Sequence, residues 1–147
     1  MLHGMEDYER DMREYKSRLF AENVHGKSIV EVGIGVGVNL PFYYQSGGCG
    51  GRHVTGVDPN PSMRAHALET AQEIGRRQRS MGGLPESSFN VVPGFAERLP
   101  FEDGTVDCLI TTLTLCSVGN VQGSIREISR CDERQDVSQL STESSFH

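Results

Sequence analysis

Tyr8, Met12, Tyr15 and Leu19 fall four, three and four residues apart, with Glu6, Arg10, Arg13 and Glu14 on the other faces. That spacing predicts an amphipathic helix whose apolar stripe faces a core, ended by His25-Gly26. The period then changes. Ser28-Ile29-Val30-Glu31-Val32 reads as a short β-branched strand running straight into Gly33, Gly35 and Gly37. Asn39–Gln45, with Pro41 in its first turn, predicts a short helix, and Ser46–Gly51 a loop. His53–Val57 is a second strand, closed by Asp58-Pro59-Asn60-Pro61. Ser62 caps a helix with Met63, Ala67, Ala71 and Ile74 along one stripe. Phe89–Val92 and Val106–Thr111 supply a third and a fourth strand, and Gly123–Arg130 a further helix with Ile125 and Ile128 as its apolar positions. Strand and helix in alternation predict an α/β layer fold with a mostly parallel sheet. From Asp132 to His147 only Val137, Leu140 and Phe146 are bulky and apolar, so this stretch reads as a disordered tail after a domain of residues 1–131.

Length and charge narrow the class. At 147 residues the chain is expected to form one domain. Lys and Arg number 14 against 20 Asp and Glu, a net charge of −6, which argues against binding nucleic acid. No apolar run approaches the roughly 20 residues of a membrane-spanning helix. The acid-rich amino terminus resembles neither a secretory signal nor a transit peptide, so a soluble cytoplasmic protein is expected. Cys49, Cys108, Cys116 and Cys131 form no CxxC or Cys/His cluster. A metal site is therefore not expected, and reduced, buried thiols are.

The chemistry centres on Glu31-x-Gly33-x-Gly35-x-Gly37 at the end of a strand. Glycines there let the main chain turn tightly and approach a ligand that a Cβ would hold off, and amides beyond them suit a charged group. A plain tight turn is the alternative. Asp58, ending the next strand, can accept from both hydroxyls of a ribose, although Asp-Pro is also a helix-start signal. A dinucleotide fingerprint needs its third glycine at position 38, where Val38 stands; the glycine comes one residue earlier. A nucleoside carrying a small charged group therefore fits better than a pyrophosphate.

Four segments then follow in order: Glu31-Val-Gly-Ile-Gly-Val-Gly37, Val57-Asp-Pro-Asn-Pro-Ser-Met63, Ala96-Glu-Arg-Leu-Pro-Phe101 and Val106-Asp-Cys-Leu-Ile-Thr-Thr-Leu-Thr-Leu-Cys-Ser-Val118. Together they resemble the class I S-adenosylmethionine-dependent methyltransferases, in the branch of ubiquinone/menaquinone-type and methyltransferase-like enzymes. The resemblance implies a Rossmann-like parallel sheet of strand order 3-2-1-4 with flanking helices. It implies S-adenosylmethionine as cofactor and a small-molecule acceptor such as a thiol or quinol.

It further implies that Gly33, Gly35 and Gly37 wrap the methionine part and that Glu31 holds its ammonium. Asp58 would bind the ribose, Pro59 and Met63 would pack on the adenine, and Phe95 and Ala96 would meet the adenine edge. Thr112 would lie beside the methionine part, with Leu115 and Cys116 facing the acceptor. No residue is singled out as catalytic. The family's last three strands have no counterpart after Cys131, so a carboxy-terminally truncated form is expected, with its fourth strand open to self-association. Two alternatives stand beside methyl transfer: a non-catalytic cofactor-binding or interaction remnant, and an NAD-dependent oxidoreductase.

Overall fold

The computed structural model describes residues 2–43, 53–79, 89–111 and 119–132. Its elements are α1 (Leu2–Asn23), β1 (Ser28–Val32), α2 (Leu40–Tyr43), β2 (His53–Val57), α3 (Pro61–Arg79), β3 (Phe89–Val92), β4 (Cys108–Thr111) and α4 (Val121–Cys131). The four strands form one sheet in the order β3-β2-β1-β4, every neighbouring pair parallel. The expected strand order is therefore the observed one. Register places Val32 opposite both Val57 and Thr111. β1, β2 and β4 thus end level at one edge of the sheet.

Strand alternation sends side chains to two cores. Ile29, Val54 and Cys108 face Phe20 of α1 and Val24 just past its end, Leu40 and Tyr43 of α2, and Ala67 of α3. Val30, Val32 and Val57 face the other way, onto Ala96, Leu99, Val106, and Ile128 and Cys131 of α4. The α3 stripe is as expected, with Ala67 buried and Ala71 and Ile74 packed beside it.

Helix α1 departs from its expected face. Phe20 and Val24 are buried and Leu19 packs against them, whereas Tyr8 and Tyr15 are exposed. A 22-residue helix is about 33 Å long, and a five-residue strand about 17 Å. Only the last turns of α1 can therefore lie on the sheet. Gly26 then reverses the chain at φ +80°, and Asp107 accepts from the Lys27 and Ser28 amides to seat the start of β1.

The expected fourth strand starts late. Its paired segment is Cys108–Thr111, while Val106 makes an isolated parallel bridge to Asp132. Asp132, assigned to the tail by composition, is buried, because the Cys131 carbonyl takes the Val106 amide and draws the chain against the sheet. Residues 133–147 lie outside the described residues. Helix α4 begins two residues earlier than expected, since Asn120 caps it by accepting from the Gly123 amide at 2.8 Å. Cys108 and Cys131 are buried thiols, and burial pushes the Cys131 thiol pKa up; Cys49 and Cys116 lie outside the described residues.

A polar clasp ties α4 to the segment before β4. Arg130 donates to Glu127, to Asp103 and to the Leu99 carbonyl, while the Leu99 amide donates to Glu127. The Arg130 guanidinium, helped by that amide and opposed by partial burial, holds the Glu127 carboxyl below its ordinary value. A lowered folded-state pKa gives stability that is complete above the unfolded value and is lost as pH falls through the folded one. Glu127→Gln is accordingly expected to lower the urea midpoint by more at pH 7 than at pH 3. Equal deficits at both pH values would rule out this charge contribution.

Candidate functional site

The level strand ends carry the candidate residues. Beyond Val32 the ladder continues for two residues, because the Gly33 and Ile34 amides both donate to the Val57 carbonyl, at 2.7 and 3.2 Å. The main chain then turns through Gly33, Gly35 and Gly37, all at positive φ (+74°, +58° and +85°). Such angles disfavour any residue with a Cβ. Gly35 and Gly37 serve different ends. A Cβ on Gly37 would stand 2.7 Å from Leu40 Cδ1, so this glycine lets α2 pack. At Gly35 a Cβ would meet no atom of the described residues within 4 Å, so bare main chain borders open space there.

Asp58 lies one residue past β2 and faces that turn. Its Oδ2 accepts from the Gly35 amide at 3.1 Å, and its Oδ1 from the Asn60 amide at 2.9 Å. These bonds show why an aspartate stands here: a short carboxylate clamps the glycine turn and begins α3 together. They also correct one expectation. The amides of Gly33, Ile34, Gly35 and Gly37 are all used inside the protein, so the turn offers a ligand close approach rather than a row of amide donors.

Glu31 is buried at 1% exposure on the α1 side of the sheet. Its Oε1 accepts from Asn39 Nδ2 at 2.6 Å, and Asn39 Oδ1 accepts from Lys16 Nζ at 3.1 Å. Neither Asn39 nor Lys16 is legible as a site residue from sequence. The available signal is indirect: a carboxylate inside an apolar strand requires donors.

Around the turn, Pro59 is exposed and Met63 half-buried. Phe95 is 63% exposed, while Ala96 is buried in the second core beside Val57. Val38, where a dinucleotide motif would have glycine, is exposed. Thr111 closes β4 opposite Val32; it is buried, and its Oγ1 has no hydrogen-bond partner among the described residues. Thr112, Leu115 and Cys116 lie outside the described residues. Of the remaining candidates, the structure brings Glu31, Gly33, Gly35, Gly37 and Asp58 to one edge. Among the described residues no three His, Cys, Asp or Glu side chains gather as a metal site, and no helix is long and apolar enough to cross a membrane.

A family model described as a methyltransferase domain matches residues 30–134, which contain the glycine turn, Asp58, all four strands from Val30 onward and α4. The chain belongs to this methyltransferase family. Membership implies S-adenosylmethionine as the cofactor. The human thiol S-methyltransferases TMT1A and TMT1B are 33% and 32% identical over 131 and 127 residues, covering 84% and 82% of this chain. Those matches cover 48% and 47% of the relatives, so the chain spans about half their length. Among solved structures, a SAM-dependent methyltransferase from Aquifex aeolicus superposes with a TM-score of 0.65 at 20% identity, over 80% of this chain and 58% of that one. The [4+2]-cyclase SpnF superposes with a TM-score of 0.63 at 22% identity, over 80% and 40%. Both likenesses are of fold.

Proposed function

We propose that this domain binds S-adenosylmethionine across the ends of β1, β2 and β4 and, in the whole protein, directs its methyl group to a small thiol. The observation that carries the reading is the Asp58 carboxylate. An ionised carboxylate has about four acceptor directions, and the two backbone amides occupy two of them. The remaining two suit the paired hydroxyls of a ribose. The open space over Gly35 supports the second half of the fit, since an amino-acid end can lie against main chain without meeting a Cβ.

In this reading Glu31 receives the ammonium and the turn through Gly33, Gly35 and Gly37 borders the methionine part. Pro59, Met63, Phe95 and Ala96 flank the adenine. Thr112, Leu115 and Cys116 are assigned to the methionine and acceptor sides. The choice of a thiol follows the names of the two human relatives. The cofactor supplies an electrophilic sulfonium methyl. The chain's own work is to hold the donor in one orientation and to keep water from it, so that an acceptor meets the methyl in line. A base is needed only for an acceptor that arrives protonated, and no described side chain is assigned that role.

The test is calorimetric titration of the folded, monodisperse chain with S-adenosylhomocysteine and, separately, with NAD. Heat of binding with the first and none with the second is expected. The converse result, or silence with both, removes the reading. Transfer of labelled methyl from S-adenosylmethionine to a panel of thiols, phenols and amines, run on a full-length protein containing this domain, then tests the acceptor. Label on amines or phenols in preference to thiols would overturn the thiol assignment.

A further inference from the structure

Outside the residues already assigned to the cofactor, α1 makes a polar contact to the site. Lys16 lies on a helix that precedes the whole sheet, yet its Nζ donates to Asn39 Oδ1 at 3.1 Å, and Asn39 Nδ2 donates to Glu31 Oε1 at 2.6 Å. Asn39 and Glu31 are each 1% exposed, so the bond between them is shielded from water, while Lys16 reaches Asn39 from a half-buried position. The order of donors and acceptors is directional. A cation on Oδ1 obliges the amide to turn its N–H₂ toward the carboxylate; the reversed amide would set carbonyl oxygen against carboxylate. A charge at one end of such a chain also polarises the amide and strengthens its bond to the acid. The neighbouring packing holds α1 close, since Phe20, one turn further along, packs against Phe42 at a tilt and Tyr43 edge-on, with ring centroids 5.5 and 5.1 Å apart.

We infer that Lys16 is a positioning residue for the cofactor's amino-acid end, acting through Asn39 to fix the orientation of the Glu31 carboxylate. The inference rests on the proposed cofactor reading, in which Glu31 meets the ammonium. Helix α1 thereby becomes part of the binding site. Lys16 itself touches neither donor nor acceptor; its influence is confined to the end of the ligand that Glu31 contacts.

Two ligands separate this role from general support of the fold. S-adenosylhomocysteine has the amino-acid end, and 5′-methylthioadenosine shares the nucleoside and the sulfur but lacks that end. Lys16→Met is expected to weaken S-adenosylhomocysteine roughly tenfold, the scale of one hydrogen bond to a charged group. It should leave 5′-methylthioadenosine within about twofold. Lys16→Arg, which restores a cation on the same stem, is expected to recover most of the loss. Thermal unfolding of each variant checks that the fold persists, and Asn39→Leu should reproduce the selective loss if Lys16→Met proves unstable. Equal weakening of both ligands, or unchanged binding of S-adenosylhomocysteine, overturns the inference. Failure of the unmodified chain to bind either ligand overturns the cofactor reading itself, and this inference with it.

Discussion

Asp58→Ala is expected to weaken S-adenosylhomocysteine and 5′-methylthioadenosine alike, each by roughly a hundredfold or more. The magnitude follows from what the carboxylate holds. Two hydroxyl hydrogen bonds to an ionised acceptor at about 1.5 kcal/mol each amount to about 3 kcal/mol, and each 1.4 kcal/mol is tenfold. The variant also releases the Gly35 and Asn60 amides, so the glycine turn loses its clamp at the same time. Equal effects on the two ligands are the signature, because both contain the ribose. In Lys16→Met only the ligand with an amino-acid end is expected to suffer. Calorimetric titration with the two ligands measures this directly. Affinity within threefold of the unmodified chain would show that the carboxylate meets no sugar hydroxyl.

The contrast between these variants marks what the sequence makes legible. β1, β2 and β3 are plain because each is a short run with β-branched residues followed by glycine, aspartate or proline, and the alternation of strands with helices allows little besides a parallel sheet. Gly33, Gly35, Gly37 and Asp58 are plain for a related reason. Each is an unusual residue type at a strand end, where the chain must turn and a ligand is reached. The relation of α1 to the sheet is not written in its periodicity. Tyr8 and Tyr15 fall at helical spacing with Leu19, but both are exposed, and the residues that pack on the sheet are Leu19, Phe20 and Val24.

The Lys16–Asn39–Glu31 chain is hidden for a different reason. It joins positions 23 and 8 residues apart through side chains whose types are ordinary on helices and turns; only the buried acid hints that partners must exist. The same limit applies to chemistry at large. A fold shared at a TM-score above 0.6 with both a methyltransferase and a cyclase leaves the reaction to the residues at the strand ends.

Gly56 shows how far such a residue can stand from the ligand and still govern the site. It lies within β2, paired with Glu31 on one side and Val91 on the other. Glycine weakens a strand interior, so its presence marks a close approach. A Cβ at position 56 would stand 2.6, 2.9 and 3.1 Å from Cδ1, Cγ2 and Cβ of Ile34. Ile34 is buried at 3% exposure and sits between the first two glycines of the turn, so a methyl group at position 56 must push the turn itself. Gly56→Ala is therefore expected to destabilise the domain by about 2 kcal/mol, in the range of overpacked cores. It should also weaken S-adenosylhomocysteine by roughly tenfold or more, as the Gly35 amide moves off Asp58.

The second substitution needed is Ile34→Ala, which removes Cδ1 and Cγ2 and leaves only the 3.1 Å contact. If displacement of the turn is the cause, the double variant binds more tightly than Gly56→Ala alone. In a double-mutant cycle the two stability losses then sum to more than the measured total, by on the order of 1 kcal/mol. Urea midpoints and calorimetric titration of the four proteins supply both quantities. Strict additivity would show that residue 56 acts through strand propensity and not through Ile34, and the link from β2 to the glycine turn would fail.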